Sequence, residues 1–416
     1  MRVPFSSSLE RWMLRKILNA TGPAPIRLTF GDSPGVSPPG VTPVATIAIH
    51  NVRTLLKLLL DPEIGLGDGY ADGGIEVQGE LVSAAEAVYR TWPAIGGGGA
   101  GRKFWSRCLE HFHANTPRRS RDNVHHHYDL RTDFYQRWLD PELVYTCAYF
   151  PTPSATLEEA QLAKMDHVCR KLQLQPGESV VEAGCGWGAL ALHMARHYGV
   201  RVKAFNLSHE QIVFARQRAR QEGLSQQVEF VEDDYRNISG RFDAFVSIGM
   251  LEHVGLSQYA ELGRVIHRST GFSGRGLLHF IGRNSPAPLS AWIRKRIFPG
   301  AYPPTLREAI ELLEPWGFSV CDVENLRLHY AKTLEHWLAR FERSSQQLEE
   351  MFEDRFVRTW RIYLAGSLVA FRVGTMQLFQ VTFAGSQCRR IPWTRAYLYQ
   401  AGQPQVQEHK WTNVMS

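Results

Sequence analysis

Three glycines at alternate positions, Gly184, Gly186 and Gly188, follow the acidic residue Glu182 at the end of a short apolar run. Glycine lacks a Cβ atom, so such a turn lets a ligand approach the backbone closely. Residues 189–197 have the apolar spacing of a helix, whose N-terminal N–H groups attract anionic groups. This pattern of strand, turn and helix is typical of a site for a nucleotide-like cofactor, and the alternative is a tight turn without a ligand.

The spacing of the glycines distinguishes two classes of cofactor site. A dinucleotide-binding turn reads G-x-G-x-x-G, and an acidic residue ends the second strand. Here the turn reads E-x-G-x-G-x-G, and the second predicted strand, residues 200–205, leads into Asn206 and Leu207. The sequence therefore resembles the S-adenosylmethionine (SAM) methyltransferases more than NAD-dependent enzymes. Gln211, on the next predicted helix, is placed to reach the ribose.

Polar residues also follow the third predicted strand, residues 228–232, where the chain reads Asp233-Asp234-Tyr235. Cofactor contacts in such a fold gather at the carboxyl ends of the strands. A carboxylate there can accept a hydrogen bond from the adenine amino group, and an aromatic ring can stack on the base. The alternative is that one of the acids only caps a turn.

A second group of candidate residues belongs to the fourth and fifth predicted strands, residues 242–248 and 277–281. Glu252 follows the fourth strand, and His279 lies in the fifth. A carboxylate and an imidazole at adjacent strand ends can hold a base or an anion near a reacting methyl group. A structural hydrogen-bonding pair is the alternative.

The elements that must position these residues alternate as helix and strand from residue 157 onward. This alternation predicts an α/β fold with a doubly wound, mostly parallel sheet. Runs at 318–326 and 377–384 are predicted to close the sheet after a helical insertion near 285–315. We therefore expect a Rossmann-like class I SAM-dependent methyltransferase fold with a seven-stranded sheet and a smaller N-terminal domain.

The length of 416 residues favours two domains, because one hydrophobic core rarely serves so long a chain. We expect a small N-terminal domain over 1–95, with a role in lipid binding or dimer formation. A glycine-rich and basic linker is expected over 96–122, a catalytic domain over 123–400 and a C-terminal tail over 401–416. The glycines of residues 65–70 are interpreted as a turn.

The composition, with 44% hydrophobic and 21% charged residues, is ordinary for a soluble protein. No apolar run approaches the roughly 20 residues of a membrane-spanning helix, and no secretory signal is seen, so a cytoplasmic protein is expected. Six cysteines without CxxC spacing predict reduced thiols rather than disulfides or zinc. The three histidines at 125–127 are not expected to hold a metal, because successive side chains point in different directions.

Two segments, 102–121 and 292–298, mix basic with aromatic residues, and the net charge of the chain is +6. Such a mixture suits the surface of an anionic membrane, and it also suits nucleic acid. A solvated charged face is the plainer alternative.

Motifs spread over residues 124–384 closely resemble the cyclopropane-fatty-acyl-phospholipid synthases and the related mycolic acid cyclopropane synthases. They include H-Y-D-L at 127–130, Y-T-C-A-Y-F at 145–150, the glycine turn at 182–188, M-L-E-H-V-G at 250–255, H-F-I-G at 279–282, I-F-P-G at 297–300, Y-A-K-T-L at 330–334 and Q-V at 380–381. Chance agreement at so many separated motifs is implausible. Two departures stand out: Thr146 replaces the usual serine, and Leu130-Arg131-Thr132 stands where the family usually has glycine and asparagine.

The resemblance implies a cofactor, an ion and a reaction. It places SAM against Tyr128, Thr146, Gly184, Gly186, Asn206, Leu207, Gln211, Asp234, Tyr235 and Ile248, to which the turn itself adds Glu182 and Gly188. It also implies a bicarbonate ion held by Cys147, Glu252, His279, Ile281 and Tyr330. In that family the alkene of an unsaturated acyl chain attacks the SAM methyl group, and bicarbonate removes a proton so that a cyclopropane ring closes.

The partner implied by the resemblance is a phospholipid bilayer with unsaturated acyl chains, met at the inner face of the membrane by a peripheral protein. A homodimer is also implied, and no nucleic acid partner is expected. Methylation without ring closure, which leaves a methylene- or methyl-branched chain, stays open as an alternative. So do a methyltransferase that acts on a soluble small molecule and a lipid-binding protein without enzymatic activity.

Overall fold

A computed structural model of the protein describes residues 7–31, 33–91 and 131–399. Its helices are α1 Ser7–Ala20, α2 Val52–Leu60, α3 Pro62–Ala71, α4 Leu81–Thr91, α5 Thr132–Gln136, α6 Leu157–Lys171, α7 Ala189–Tyr198, α8 His209–Gln221, α9 Leu251–Val254, α10 Tyr259–Thr270, α11 Ala291–Arg296, α12 Leu306–Ile310, α13 Arg327–Arg343, α14 Ser345–Met351 and α15 Asp354–Val373. Its strands are β1 Ile26–Phe30, β2 Ala45–Ile49, β3 Ile75–Gln78, β4 Ser179–Ala183, β5 Arg201–Asn206, β6 Val228–Glu232, β7 Ala244–Ile248, β8 Arg275–Gly282, β9 Phe318–Asn325 and β10 Gln377–Gly385. The predictions for Tyr128, the linker over 96–122, the basic segment at 102–121, the histidines at 125–127 and the tail over 401–416 fall outside the described residues.

The larger of two compact units comprises the described residues of 114–286 and 378–416, together with Tyr302–Leu326. It is built on a seven-stranded sheet of order β6-β5-β4-β7-β8-β10-β9. The strands β4 to β8 pair in parallel, and β9 runs antiparallel to β10. The predicted α/β fold with a seven-stranded, mostly parallel sheet is confirmed.

Both faces of this sheet are covered, because successive residues of its strands enter two separate cores. Val180 belongs to a core with residues of α6, α7 and α8, whereas Val181 belongs to a core with residues of α10 and α12. Strands buried on both faces consist almost entirely of apolar residues, as a parallel sheet requires. The polar side chains available for chemistry therefore stand mainly at the ends of the strands.

The smaller unit combines the described residues of 1–113 with Ala287–Ala301 and Arg327–Gln377. Its three-stranded sheet pairs β1 with β2 in parallel and β2 with β3 antiparallel. The long helices α13 and α15 pack against each other, and α15 also packs against α3 and α4. The unit therefore includes segments that lie within the predicted 123–400 range. None of the described helices combines the length and apolar character needed to cross a bilayer.

The interpretation of residues 65–70 as a turn is wrong, because α3 runs through them. Two of the glycines serve close packing instead. A Cβ atom on Gly65 would lie 2.7 Å from the backbone nitrogen of Leu58, and one on Gly67 would lie 2.4 Å from the indole ring of Trp292. Side chains at these positions would push apart neighbours that now touch the helix backbone.

Candidate active site

The glycine turn after β4 has a backbone conformation that favours glycine. Gly184, Gly186 and Gly188 have φ angles of +85°, +54° and +85°, all in the left-handed region. A Cβ atom on Gly188 would lie 2.6 Å from the ring of Phe230, whereas one on Gly186 would meet no atom within 4 Å. The turn thus leaves space over Gly186, and the residues present fit a cofactor that lies against the backbone.

Asn206 connects this turn to the end of β5. Its amide nitrogen donates to Gln211 Oε1 at 2.7 Å and to the carbonyl oxygen of Gly186 at 3.4 Å. Its side-chain oxygen accepts a hydrogen bond from the Leu207 nitrogen at 2.9 Å. Four of the residues that were predicted to contact the cofactor are therefore brought together by one side chain.

Asp234 and Tyr235 follow β6, and Asp234 caps the short 3₁₀ turn there. Its two oxygens accept hydrogen bonds from the Arg236 backbone nitrogen at 2.9 Å and from the Arg236 guanidinium at 3.2 Å. Asp234 therefore does cap the turn. Each of its oxygens still has a lone pair that can accept a second hydrogen bond. Tyr235 is buried, and burial raises its pKa to about 12. Their contact with the adenine stays a prediction.

Glu252 lies on α9 and is buried against β8. Its Oε1 accepts a hydrogen bond from the Ile281 backbone nitrogen, and its Oε2 is buried with no partner among the described residues. Burial raises the pKa of Glu252 to about 7. This carboxyl group can therefore either donate or accept a proton near neutral pH.

His279 lies in β8 and pairs in register with Ile248 of β7. Gln380 Nε2 is 3.0 Å from His279 Nδ1, and burial lowers the pKa of His279 well below its usual value. With the amide nitrogen facing the ring, a neutral His279 accepts at Nδ1 and carries its proton on Nε2. That Nε2 has no partner in the described part of the chain, so the ring offers one buried donor.

The two polar atoms without partners among the described residues, His279 Nε2 and Glu252 Oε2, are complementary in kind. His279 offers an N–H donor, and Glu252 offers an oxygen that can accept a hydrogen bond or donate one. Cys147 is buried in the larger unit, where its thiol donates to the Ala148 carbonyl oxygen at 3.1 Å. Tyr330 belongs to the smaller unit, where its ring centre lies 4.5 Å from that of Phe371. The roles of Cys147 and Tyr330 as ligands of an ion stay predictions.

Two polar residues that sequence reasoning left without a role have buried positions beside these groups. Gln380 orients His279, and Lys164 on α6 donates from Nζ to Thr146 Oγ1 at 3.0 Å. The sequence does carry one indication that Lys164 is buried, because its position falls in the apolar phase of α6, one turn after Gln161, which is itself buried.

The chain is similar to several proteins that modify lipids. The model of a family described as mycolic acid cyclopropane synthetase matches residues 115–381. A probable fatty acid methyltransferase of Pseudomonas putida is 33% identical over 377 residues, which cover 86% of this chain and 93% of that protein. A cyclopropane-fatty-acyl-phospholipid synthase of Escherichia coli strain K12 is 33% identical over 362 residues, which cover 84% of this chain and 90% of that protein.

A solved structure gives the same picture for the fold. The mycolic acid cyclopropane synthase CmaA1, complexed with SAH and CTAB, is 33% identical to this chain and superposes with a TM-score of 0.61. The match covers 63% of this chain and 97% of that one. The geometry of the glycine turn and of Glu252 and His279 can therefore be compared with the reactions of these relatives.

Proposed function

Since the chain belongs to the mycolic acid cyclopropane synthetase family, we propose that it converts the cis double bond of unsaturated acyl chains in membrane phospholipids into a cyclopropane ring. The broader activity follows from the family: the protein is a SAM-dependent methyltransferase that modifies unsaturated fatty acyl chains. One observation carries the proposed product. A buried carboxyl group and a neutral imidazole, Glu252 and His279, present polar atoms without partners among the described residues.

The residues around the glycine turn contribute position rather than covalent chemistry. When bound, SAM supplies an electrophilic methyl group on a sulfonium sulfur. An unactivated alkene is a poor nucleophile, so the chain must hold both reactants in line and exclude water. The open space over Gly186 and the bonds that Asn206 makes are suited to holding the adenosine part.

Ring closure needs a proton to leave after the methyl group has added to one alkene carbon and left a cation on the other. A bound bicarbonate would supply the base for that proton. Glu252 and His279 are suited to hold it, because His279 donates from Nε2 and Glu252 Oε2 can share a proton. Both side chains are buried, so little water reaches the cation near them. Loss of the proton from the added methyl group then allows the ring to close.

Methylation without ring closure is the second candidate, and one observation favours it. The Pseudomonas putida fatty acid methyltransferase is as similar to this chain as the Escherichia coli cyclopropane synthase, at 33% identity for each. The same cation gives a methyl-branched alkene if a proton leaves the chain carbon that carries the new methyl group. It gives a methylene-branched chain if a hydride first shifts from that carbon to the cation and a methyl proton then leaves. The residues that bind SAM would serve both outcomes.

The product should decide between these candidates. We expect that the protein, incubated with SAM and vesicles of cis-unsaturated phospholipid, yields acyl chains heavier by one CH2 unit. Catalytic hydrogenation before mass spectrometry then separates the isomers, because an exocyclic alkene takes up hydrogen more readily than a cyclopropane ring does. An unchanged acyl profile, with protein that binds SAH, would exclude the proposed reaction, and soluble small molecules would then be tested as methyl acceptors.

An exposed face on the smaller unit supports a lipid surface as the partner. The helices α1 and α2 pack together and expose large apolar side chains, namely Leu9, Trp12, Leu56 and Leu60, of which Trp12 is 56% and Leu60 85% exposed. The basic Arg11, Arg15 and Lys16 are exposed on α1, and Lys16 Nζ lies 5.2 Å from the centre of the Trp12 ring. Apolar side chains flanked by cations suit an anionic bilayer. From the family resemblance, we also propose that the protein attaches peripherally to the inner face of the membrane and that it forms a homodimer.

Removal of this face should weaken attachment to membranes. We expect Trp12→Ala combined with Leu60→Ala to lower affinity for anionic phosphatidylglycerol vesicles by roughly ten-fold, because two exposed apolar side chains no longer enter the lipid. Vesicle co-sedimentation measures this. The matched control is Trp393→Ala, in which a tryptophan that is 73% exposed is removed from the larger unit. Equal losses in both variants would contradict a specific role for α1 and α2.

A further inference from the structure

A lysine is buried beneath the segment that carries Thr146. Lys164 on α6 is only 2% exposed, and its Nζ donates to Thr146 Oγ1 at 3.0 Å. One turn earlier on α6, Gln161 Nε2 donates to the carbonyl oxygen of Thr146 at 2.9 Å. The same face of α6 therefore fixes both the backbone and the hydroxyl group of Thr146.

Thr146 lies beside the loop that borders the glycine turn. A Cβ atom built on Gly249 would lie 3.1 Å from Thr146 Cγ2, and one built on Gly184 would lie 3.1 Å from Met250 Cβ. Gly249 and Met250 are adjacent in the loop after β7. These contacts connect Thr146 to the turn through a single short loop, so the residue lies beside the expected cofactor site.

The bond from Lys164 determines what the Thr146 hydroxyl can do. An ammonium group has donors and no acceptor, so the Thr146 oxygen must accept from it. The hydroxyl proton then points away from Lys164 and is available to another acceptor. A hydroxyl group held in this way acts as a donor, and the carboxylate of the methionine part is the anionic group that SAM offers to a donor.

Lys164 retains a positive charge in its buried position. Burial lowers the pKa of Lys164 to about 8, so the side chain is largely protonated at neutral pH. Burial also raises the pKa of Asp140 to about 6 and that of Glu182 to about 8, and the charge of Lys164 opposes both shifts. Lys164 therefore keeps the charge with which it donates to Thr146 Oγ1.

We propose that Lys164 is a positioning residue for SAM, which acts through Thr146 by directing the hydroxyl proton toward the carboxylate of the methionine part. The inference rests on the proposed function, because the contact between Thr146 and SAM comes from the family resemblance. Lys164 itself needs no contact with SAM. Its effect should therefore depend on the Thr146 hydroxyl and on the ligand carboxylate.

The test compares two ligands that differ in the methionine part. SAH retains the carboxylate, whereas 5′-methylthioadenosine lacks the whole amino-acid group. We expect Lys164→Met to lower the affinity for SAH by roughly ten-fold, which is the effect of one charge-assisted hydrogen bond. Titration calorimetry measures this affinity. Affinity for 5′-methylthioadenosine should change by less than about two-fold. In kinetics the KM for SAM should rise more than kcat falls.

A matched control and a second variant keep the test decisive. Lys171→Met removes another buried lysine from the same face of α6, where it pairs with Glu324 at 2.7 Å, and it should leave the preference between the two ligands unchanged. Lys164→Gln keeps an N–H donor without the charge and should lie between wild type and Lys164→Met. It replaces Lys164→Met if that variant does not fold.

The outcomes separate this inference from the proposed function. Thr146→Val should lower the affinity for SAH, and the double variant with Lys164→Met should have little further loss of affinity. If Thr146→Val weakens SAH but Lys164→Met does not, or if Lys164→Met weakens both ligands equally, the inference is wrong while the cofactor site stands. If Thr146→Val has no effect on SAH, the assignment of Thr146 to the cofactor site fails, and the inference fails with it.

Discussion

Glu252→Gln is expected to lower turnover by roughly a hundred-fold or more while SAH affinity stays within about two-fold of wild type. The side chains have the same shape, and Oε1 can still accept from the Ile281 nitrogen. The amide cannot ionise and cannot exchange a proton at the position of Oε2, which is buried without a partner among the described residues. Initial rates with unsaturated phospholipid vesicles and SAH calorimetry measure the two effects separately.

Glu261→Gln is the matched control for this variant. Glu261 lies on α10 and pairs with Arg264 at 2.6 Å in an exposed ion pair, so its loss should change turnover little. Full activity in Glu252→Gln would remove the carboxyl group from the proposed reaction. Loss of SAH binding in Glu252→Gln would instead indicate that the carboxyl group supports the cofactor site.

Gly186→Ala should reduce SAH affinity by roughly a hundred-fold or more. The added Cβ atom meets no protein atom within 4 Å, so it points into the space that the cofactor is expected to fill. The φ angle of +54° adds backbone strain of about 1 kcal/mol, which would appear as lower stability. Titration calorimetry measures the affinity, and urea unfolding measures the free energy of unfolding.

Two other glycines provide controls with the same kind of strain. Gly177 and Gly223 have φ angles of +84° and +70°, and a Cβ atom on either would meet nothing within 4 Å. Gly177→Ala and Gly223→Ala should therefore lose similar stability and retain SAH affinity. If Gly186→Ala bound SAH as wild type does, the open space over the turn would not be the cofactor site.

The parts of the site that could be predicted from the sequence are those that follow from local patterns of apolar and polar residues. Strands β4, β7 and β8 are buried along almost their whole length and read largely as apolar runs, so the polar residues near the strand ends stand out. Gly186 and Asn206 were found in this way, and the structure connects them by a hydrogen bond. The fold was predictable for the same reason.

The parts that the sequence did not predict depend on distant partners. Lys164 falls in the apolar phase of α6, but its partner Thr146 lies outside that local pattern, and the packing of α6 is what shows the bond between them. The glycines of 65–70 have a turn-like pattern, yet Gly67 is needed because Trp292 packs against it. The family resemblance supplied the ion site, since residue types alone left a structural pair as an equal alternative.

The construction of the smaller unit from three separate chain segments has a consequence for its synthesis. On the ribosome, α3 and α4 emerge long before α15, which covers them in the folded unit. Domains generally fold as units, so the nascent N-terminal segment must keep its apolar faces from other chains until most of the protein has been translated. A gene fragment that ends near residue 95 would encode these helices without their cover, and its product should depend on chaperones to stay in solution.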